Sequence, residues 1–421
     1  MLKLIDELTY RWLLKDCTDR EVFDKLDRWE VTFYFGMDPT ADSLHLWNFV
    51  NFMTAIHLMK RWNICIPLVW WATGMIGDPG GKDAERVFLD ADTLQHNFDA
   101  ICTQVAWLFD TLQDQIWILP HQPIINNKTF YDWLWYLDFL KIVWKYITVN
   151  SMMTKETVKK RLQDPDKSIS YTEFSYMLIQ WYDFVQLYKN HGCTLQIAWS
   201  DQWWNITSGT EMIRKLCDRT AYGLTCPLIV DANGKKFGKS AWNAIWLDPK
   251  KSSAYVLYQY FINTDDLDVE RYLKLFTLYD QSEIEDIMQK HIISPHLREW
   301  QIALANSITR LIHWDESMTQ AIIATVFSFS LDPVNEFKNL DDHSIQNLIS
   351  RLWSIPSGDI CDMLISCWYC WSKTDAKKLI QQWAIRINWE IIKDITHNVQ
   401  PLVHTYGMIQ KWKKSLKIIQ F

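Results

Sequence analysis

The chain has 421 residues, enough for two or three domains with cores of their own, and 22% charged residues with a formal net charge of −7. No apolar run approaches the roughly 18 residues of a membrane span. The first residues carry Asp6 and Glu7 rather than a secretory apolar segment, and the nine scattered cysteines read as reduced structural thiols, because Cys367-x-x-Cys370 lacks the second pair of a zinc site. A cytoplasmic protein with no metal of its own is expected.

In chain order, residues 1–30 read as amphipathic helices, with Leu4, Ile5, Leu8 and Trp12 on one side, covering a sheet. Val31-Thr32-Phe33-Tyr34-Phe35 is a β-rich apolar run that stops at Gly36. A polar turn from Asp38 to Ser43 follows, and then apolar residues at helical spacing: Leu44, Leu46, Phe49, Val50 and Met53. Ser43 is the expected N-cap. That places His45 in a first turn whose free N–H groups and dipole favour phosphate. Strand, turn and helix in this order form the front edge of a βα nucleotide-binding unit, a pattern shared by most α/β proteins.

The apolar run 64–71 suits a buried parallel strand and leads into Thr73-Gly74-Met75-Ile76-Gly77-Asp78. Lys82 and Arg86 are spaced to share a helix face, a solvated helix start being the other reading. Residues 92–110 read as helix, 126–144 alternates aromatic with polar residues, and 171–187 reads as helix again. On that last helix Tyr176, Gln180 and Asp183 share one face. A polar stripe on an apolar helix must meet water, a partner or a ligand; a half-buried hydrogen-bond network satisfies it as a pocket does.

A strand at Leu195-Gln196-Ile197 precedes Ser200-Asp201-Gln202, and the loop from Lys235 to Ser240 follows the turn at 231–234. Helices are expected at 253–262, 266–277, 282–290, 295–313 and 317–329, then a linker at 330–350. Residues 351–421 hold ten Lys and Arg against five Asp and Glu, a basic tail on an acidic body. It suits a polyanion such as RNA, or it is a solvated basic face.

Several motifs stand out together: the turn and helix start with Thr40 and His45, Ala72-Thr73-Gly74-Met75-Ile76-Gly77-Asp78-Pro79, and Tyr171-Thr172-Glu173-Phe174-Ser175-Tyr176 with Gln180 and Asp183. Ser200-Asp201-Gln202-Trp203 and Lys236-Phe237-Gly238-Lys239-Ser240 complete the set. In this order they resemble the class I aminoacyl-tRNA synthetases, and among them the bacterial tyrosyl-tRNA synthetases, from the first helix to about Phe276. The helix start stands for the H-I-G-H signature and 236–240 for the K-M-S-K-S loop.

The resemblance implies an α/β fold: a Rossmann-like parallel-sheet catalytic domain over 1–227, with a dimer-interface insert at about 120–165, and a K-M-S-K-S-type loop at 228–252. It further implies a helical anticodon-side domain at 253–330, a linker at 331–350 and a small α+β S4-like RNA-binding domain at 351–421. The implied activity is a ligase that activates L-tyrosine with ATP and Mg2+, then transfers it to the 3′ end of tRNA(Tyr), as a homodimer with no membrane partner.

Carried over residue by residue, Tyr34 and Asp183 would read the phenol, Asp78, Tyr176 and Gln180 the ammonium, and Gln202 the carboxylate. Gly36, Asp38, Thr40, His45, Asn48, Asp201 and Lys239 would bind ATP. Thr40 and His45 would face Lys236, Lys239 and Ser240 across the γ-phosphate, and Lys82 and Arg86 would meet the leaving pyrophosphate. In the tail, Lys373, Lys377, Lys378 and Arg386 would contact RNA phosphates. Departures from the pattern are Phe237-Gly238 for Met-Ser, Asn48 for the last His, and Phe35 for a common Cys. Two other functions fit the scaffold: a tryptophanyl-tRNA synthetase, not expected to show the Tyr34/Asp183 pairing, and a catalytically inactive RNA-binding protein.

The sequence holds 25 tryptophans and 12 glycines, the latter about 3% where about 7% is usual. Sixteen tryptophans, at 12, 29, 47, 62, 70, 71, 135, 144, 181, 199, 204, 242, 314, 383, 389 and 412, fall where the resembled family commonly has glycine. Trp133, Trp203 and Trp246 fall where it uses tryptophan. The expectation is that UGA codons meaning glycine in the source are read here as tryptophan. Indoles at Trp47 and Trp199 would otherwise fill the nucleotide's place.

Overall fold

The computed structural model describes residues 3–76, 89–153, 158–159, 164, 170–229, 245–329, 354–402, 406–411 and 415–421, with backbone alone for 151, 172–174, 326–329, 354 and 415–418. Asp78, Lys82, Arg86, Lys236, Lys239, Ser240 and the expected linker lie outside the described residues. The chain divides into two compact units, Met1–Ser253 with Phe261–Ile312, and Ala254–Tyr260 with His313–Phe421.

The first unit is built on a sheet of β1 (Asp16–Cys17), β2 (Thr32–Met37), β3 (Ile64–Val69), β4 (Ile125–Asn126), β5 (Leu195–Trp199) and β6 (Tyr222–Cys226), in the order β1-β6-β5-β2-β3-β4. Neighbours are parallel except β1 against β6. β5 is buried throughout and β3 exposes only Ile64, which explains their unbroken apolar sequences: both faces are covered. The chain runs outward from β2 to β4, then returns to lay β5 on the other side of β2. That reversal makes a switch point between β2 and β5, with a crevice at their carboxyl ends. Gly36 lies inside β2, which runs one residue beyond the expected stop to Met37.

The helices are α1 (Leu4–Tyr10), α2 (Glu21–Asp27), α3 (Leu46–Met59), α4 (Trp71–Ile76), α5 (Ala91–Gln115), α6 (Tyr136–Ile142), α7 (Val149–Met153), α8 (Tyr171–His191), α9 (Trp203–Cys217), α10 (Ala254–Ile262), α11 (Asp266–Phe276), α12 (Gln281–Ile293) and α13 (Glu299–Phe329). Every residue of α3 except Asn48 is buried, as expected of a helix apolar all round. The two helices expected at 295–313 and 317–329 are the two halves of α13, divided at Trp314 where the backbone leaves helical geometry, and the first begins at Glu299 after a separate 3-10 turn, Pro295–Leu297. Among the described residues no helix is long and apolar enough to cross a membrane.

A polar network ties α1 to α3 at the foot of this unit. Glu7 accepts from His57 Nδ1 at 2.9 Å and Arg61 at 3.0 Å, and Arg61 also reaches Asp27 at 2.9 Å. Arg11, 3.6 Å from Glu7, donates to the carbonyls of Lys274 and Thr277 at 3.2 and 2.9 Å and to that of Tyr279. The first two carbonyls belong to the end of α11, where a helix leaves acceptors unused and favours a cation, and Tyr279 lies just beyond it. Burial works to raise the Glu7 carboxyl, but His57, Arg61 and Arg11 outweigh it and hold it far below the carboxylate range. Burial lowers His57 to about 4.

The second unit ends in a sheet of β7 (Ser354–Pro356), β8 (Ile385–Ile387), β9 (Glu390–Ile391), β10 (Tyr406–Lys411) and β11 (Ser415–Gln420), ordered β7-β11-β10-β8-β9. α14 (Ile360–Ser366) and α15 (Lys373–Gln381) complete an α+β arrangement around Leu364, Ile380, Ile385 and Ile409. All nine cysteines are free thiols.

Candidate active site

The start of α3 differs from the Ser43-capped helix expected. Ser43 is buried, with its hydroxyl held by the Leu44 carbonyl and the Gln104 side chain. His45 is the N-cap instead, its N–H donating to Asn48 Oδ1 at 3.1 Å in a capping box. Asn48 is thereby occupied in shaping the turn. α5 braces this turn from behind: Asn97 donates to the Pro39 carbonyl at 3.1 Å, and Gln104 accepts the Leu44 N–H at 2.7 Å. Asp38 is half-buried and Thr40 exposed.

The segment after the 236–240 loop arrives at the same place. Leu46 N–H donates to Ile245 O and Leu247 N–H to Leu44 O, both at 2.9 Å. Trp246 stands opposite His45, their ring centroids 6.1 Å apart. His45 therefore lies beside the downstream foot of the lysine-bearing loop.

Beneath the switch point, a buried polar cluster gathers around Asp183 on α8. Tyr131 Oη lies 2.7 Å from Asp183 Oδ1, and Asn127 Nδ2 donates to Oδ2 at 3.0 Å. Asn127 also donates to Thr73 and accepts the Ala72 N–H, so one amide fixes α4 against α8. Burial drives Asp183 up to about 7, against the opposing pull of Asn127 and Tyr131. Tyr34, wholly buried on β2, packs its ring on Phe184 at 5.1 Å. Its hydroxyl has no hydrogen-bond partner among the described residues. Burial, then Cys193 and Asp183, raise its phenol well above the usual value, so the two groups sense each other.

Tyr176 and Gln180 share the Asp183 face of α8 and are buried. Gln180 Nε2 donates to Gln202 Oε1 at 3.2 Å, and Asn205 to the same oxygen at 2.7 Å. The structure thus joins Gln180 to Gln202 and packs Tyr34 on Phe184, the residue after Asp183. Asn127 and Tyr131 went unread in the sequence: β4 is two residues long, too short for any periodicity to announce the residue at its end.

The carboxyl ends of the strands are filled with indoles. Trp47, in the first turn of α3, stacks on Trp199, at the end of β5, with centroids 4.4 Å apart and planes 28° apart. Trp70 lies over Gly36 so closely that a Cβ there would come within 2.2 Å of its ring. The indole nitrogens of Trp70 and Trp71 are buried without a partner among the described residues. Asp201 stands exposed just beyond Trp199. A separate cavity of about 510 Å³, lined by Asp42, His96, Asp99, Gln104, Asp248 and Lys250, lies behind the turn. Its three carboxylates make it unsuited to phosphate.

The model of the tRNA synthetases class I (W and Y) matches residues 27–330. The chain belongs to that family. It is 38% identical to the tyrosine--tRNA ligase of Bacteroides fragilis (strain YCH46), over 99% of each chain. The tyrosine--tRNA ligase of Streptococcus pneumoniae (strain Hungary19A-6) is also 38% identical, over 100% of each. Among solved structures, a C-terminally truncated mitochondrial tyrosyl-tRNA synthetase from Aspergillus nidulans superposes with a TM-score of 0.71 at 28% identity, covering 78% of this chain and 95% of that one.

In this synthetase the tail cations fall within one unit. Ser372 caps α15, and Lys373 and Lys377 are spaced to share one of its faces. Lys373 pairs with Asp362 at 2.7 Å and Lys378 lies 3.7 Å from Asp375, while Arg386 is half-buried on β8.

Proposed function

We propose that this synthetase is a cytoplasmic tyrosine-tRNA ligase. Its full-length likeness to tyrosine--tRNA ligases supports this, and the observation that carries the amino-acid choice is the Tyr34–Asp183 floor. A substrate phenol donates to Asp183 and accepts from the Tyr34 hydroxyl, which has no other partner among the described residues. Phenylalanine would leave both buried groups unpaired; the handicap for this enzyme class is about 10⁵-fold, a general figure not obtained from this structure. Gln180 and Gln202 then face the ammonium and carboxylate, with Tyr176 and Asp78 as further ammonium contacts.

The substrate carboxylate oxygen attacks the α-phosphorus of ATP, which enters with its Mg2+, and pyrophosphate leaves with the bonding electrons. No strong base is required; the task is positioning and charge stabilisation. Gly36, Asp38, Asn48 and Asp201 line the nucleotide's place. Thr40 and His45 act on the phosphates from the α3 side, Lys236, Lys239 and Ser240 from the loop, and Lys82 and Arg86 on the leaving group. A ribose hydroxyl of tRNA then attacks the tyrosyl carbonyl of the adenylate and gives up its proton, the acyl–phosphate C–O bond breaks and AMP leaves with the bonding electrons, while the 351–421 domain binds RNA through Lys373, Lys377, Lys378 and Arg386. A homodimer is supported by the exposed Trp133, Tyr136, Leu137 and Tyr171, each more than half in water.

Tyrosine-dependent ATP–pyrophosphate exchange is the test. Exchange with tryptophan in its place would overturn the amino-acid assignment. A second reading, a non-catalytic RNA-binding scaffold, is favoured by the indoles over β2, β3 and β5; tRNA binding without exchange would establish it.

A further inference from the structure

Ten non-glycine residues among those described have positive φ, and seven are tryptophan: Trp12, Trp29, Trp62, Trp314, Trp368, Trp383 and Trp389. With 25 tryptophans in 421 residues, a random draw would put none or one there. The backbone at each of these positions has the form that glycine serves.

Five of them end helices. Trp12, Trp29, Trp62, Trp368 and Trp383 have φ between 57° and 65°. In each case the next residue's N–H reaches a carbonyl five positions back: Leu13 to Leu8, Glu30 to Lys25, Asn63 to Leu58, Tyr369 to Leu364 and Ala384 to Leu379, at 2.9–3.4 Å. That is the Schellman motif, whose left-handed position is usually glycine because a Cβ is crowded there. Asn388-Trp389, with φ of 49° and 67°, joins β8 to β9 as a two-residue hairpin loop. Loops with two positive φ angles take Asn-Gly. Trp314, at φ 69° and ψ 163°, occupies a region that is essentially glycine's alone. Six of the seven leave more than a third of their surface in water, so burial does not compensate.

We propose that the cell of origin inserts glycine at these seven positions, through UGA codons read as glycine. Trp47, Trp70 and Trp199 belong to the same set, since their indoles fill the carboxyl ends of β3, β5 and the α3 start. With glycine there, the crevice at the switch point opens for a nucleotide. This last consequence rests on the ligase reading; the backbone argument does not. Trp368 joins the set on backbone geometry alone. Trp246 and Trp300 remain tryptophan: Trp300 donates to Ile287 O at 3.0 Å and stacks on His291 at 4.1 Å, and Trp246 carries Lys251 at 5.2 Å.

Peptide masses of the protein purified from its source cells test this, read beside exchange activity of the same preparation. At the ten positions each residue should be about 129 Da lighter than tryptophan, having lost everything beyond Cα, while 246 and 300 keep the tryptophan mass. Tryptophan mass at the positive-φ positions overturns the proposal, whatever the activity. Glycine masses without exchange leave it standing and sink the ligase reading instead.

Discussion

Glu7 and Asp183 are both carboxylates withdrawn from water in the first unit, and their surroundings differ. Around Glu7 stand His57, Arg61 and Arg11, and its acidity is strengthened. Among the described residues, Asp183 has the neutral donors Asn127 and Tyr131, and burial prevails, lifting it to about 7. Two guanidinium groups and an imidazole donor make an acid part of the framework, with its charge already satisfied. Neutral donors leave a carboxylate under-satisfied, open to another hydrogen-bond donor. Location in the fold agrees: Glu7 sits at the foot, Asp183 below the switch point.

The largest effect is expected at the foot. Glu7→Ala takes from Arg11 its carboxylate and leaves Arg61 with Asp27 alone, and breaking a buried pair costs about 3–5 kcal/mol. Urea unfolding should show it, with kcat of the folded fraction unchanged; a loss under 1 kcal/mol, roughly the worth of a surface pair, would erase the distinction. Next comes pH. Asp183 titrates higher when folded, so its contribution is most favourable below the unfolded value near 3.8 and declines as pH rises to about 7, by at most about 4 kcal/mol. Subtracting the Asp183→Asn stability curve from that of the parent should reveal this downward slope. Glu7, titrating lower when folded, slopes the other way: its stabilisation holds above about 4.5 and fades in acid. Parallel slopes would mean the two environments are alike.

At the floor, Asp183→Ala should lower kcat/KM for tyrosine by about a hundredfold, the worth of a charged hydrogen bond, while the urea midpoint at neutral pH falls less than in Glu7→Ala, because relief of a buried charge offsets part of the two lost hydrogen bonds. A midpoint drop as large as that of Glu7→Ala would make Asp183 structural. The smallest change is Tyr131→Phe. Losing one donor raises Asp183 further, so the acid limb of the kcat/KM profile moves upward in pH, with about 1 kcal/mol lost in stability. An unmoved limb would remove Tyr131 from the cluster.

The sequence carried the parallel strands, because burial on both faces leaves apolar runs at 31–35 and 64–71. It carried the Tyr176/Gln180/Asp183 face through helical spacing. Ser43 misled because a serine before an apolar helix looks like a cap, while burial against Gln104, some sixty positions away, decides otherwise. Asn127 and Tyr131 were invisible for a related reason: what places them is contact with α4 and α8, not any local rhythm. The break at Trp314 was foreshadowed by the two-helix reading, though not its form.

The grip of Arg11 on the carbonyls of 274, 277 and 279 bears on how the chain is made. Its partners lie up to 268 residues further on, and a ribosome adding roughly 5–20 residues each second needs about 13–55 s to reach them. During that interval the first helix exists without its anchor. Its guanidinium then has only Glu7 and water for company, so this corner of the molecule is completed late, after most of the first unit has been synthesised.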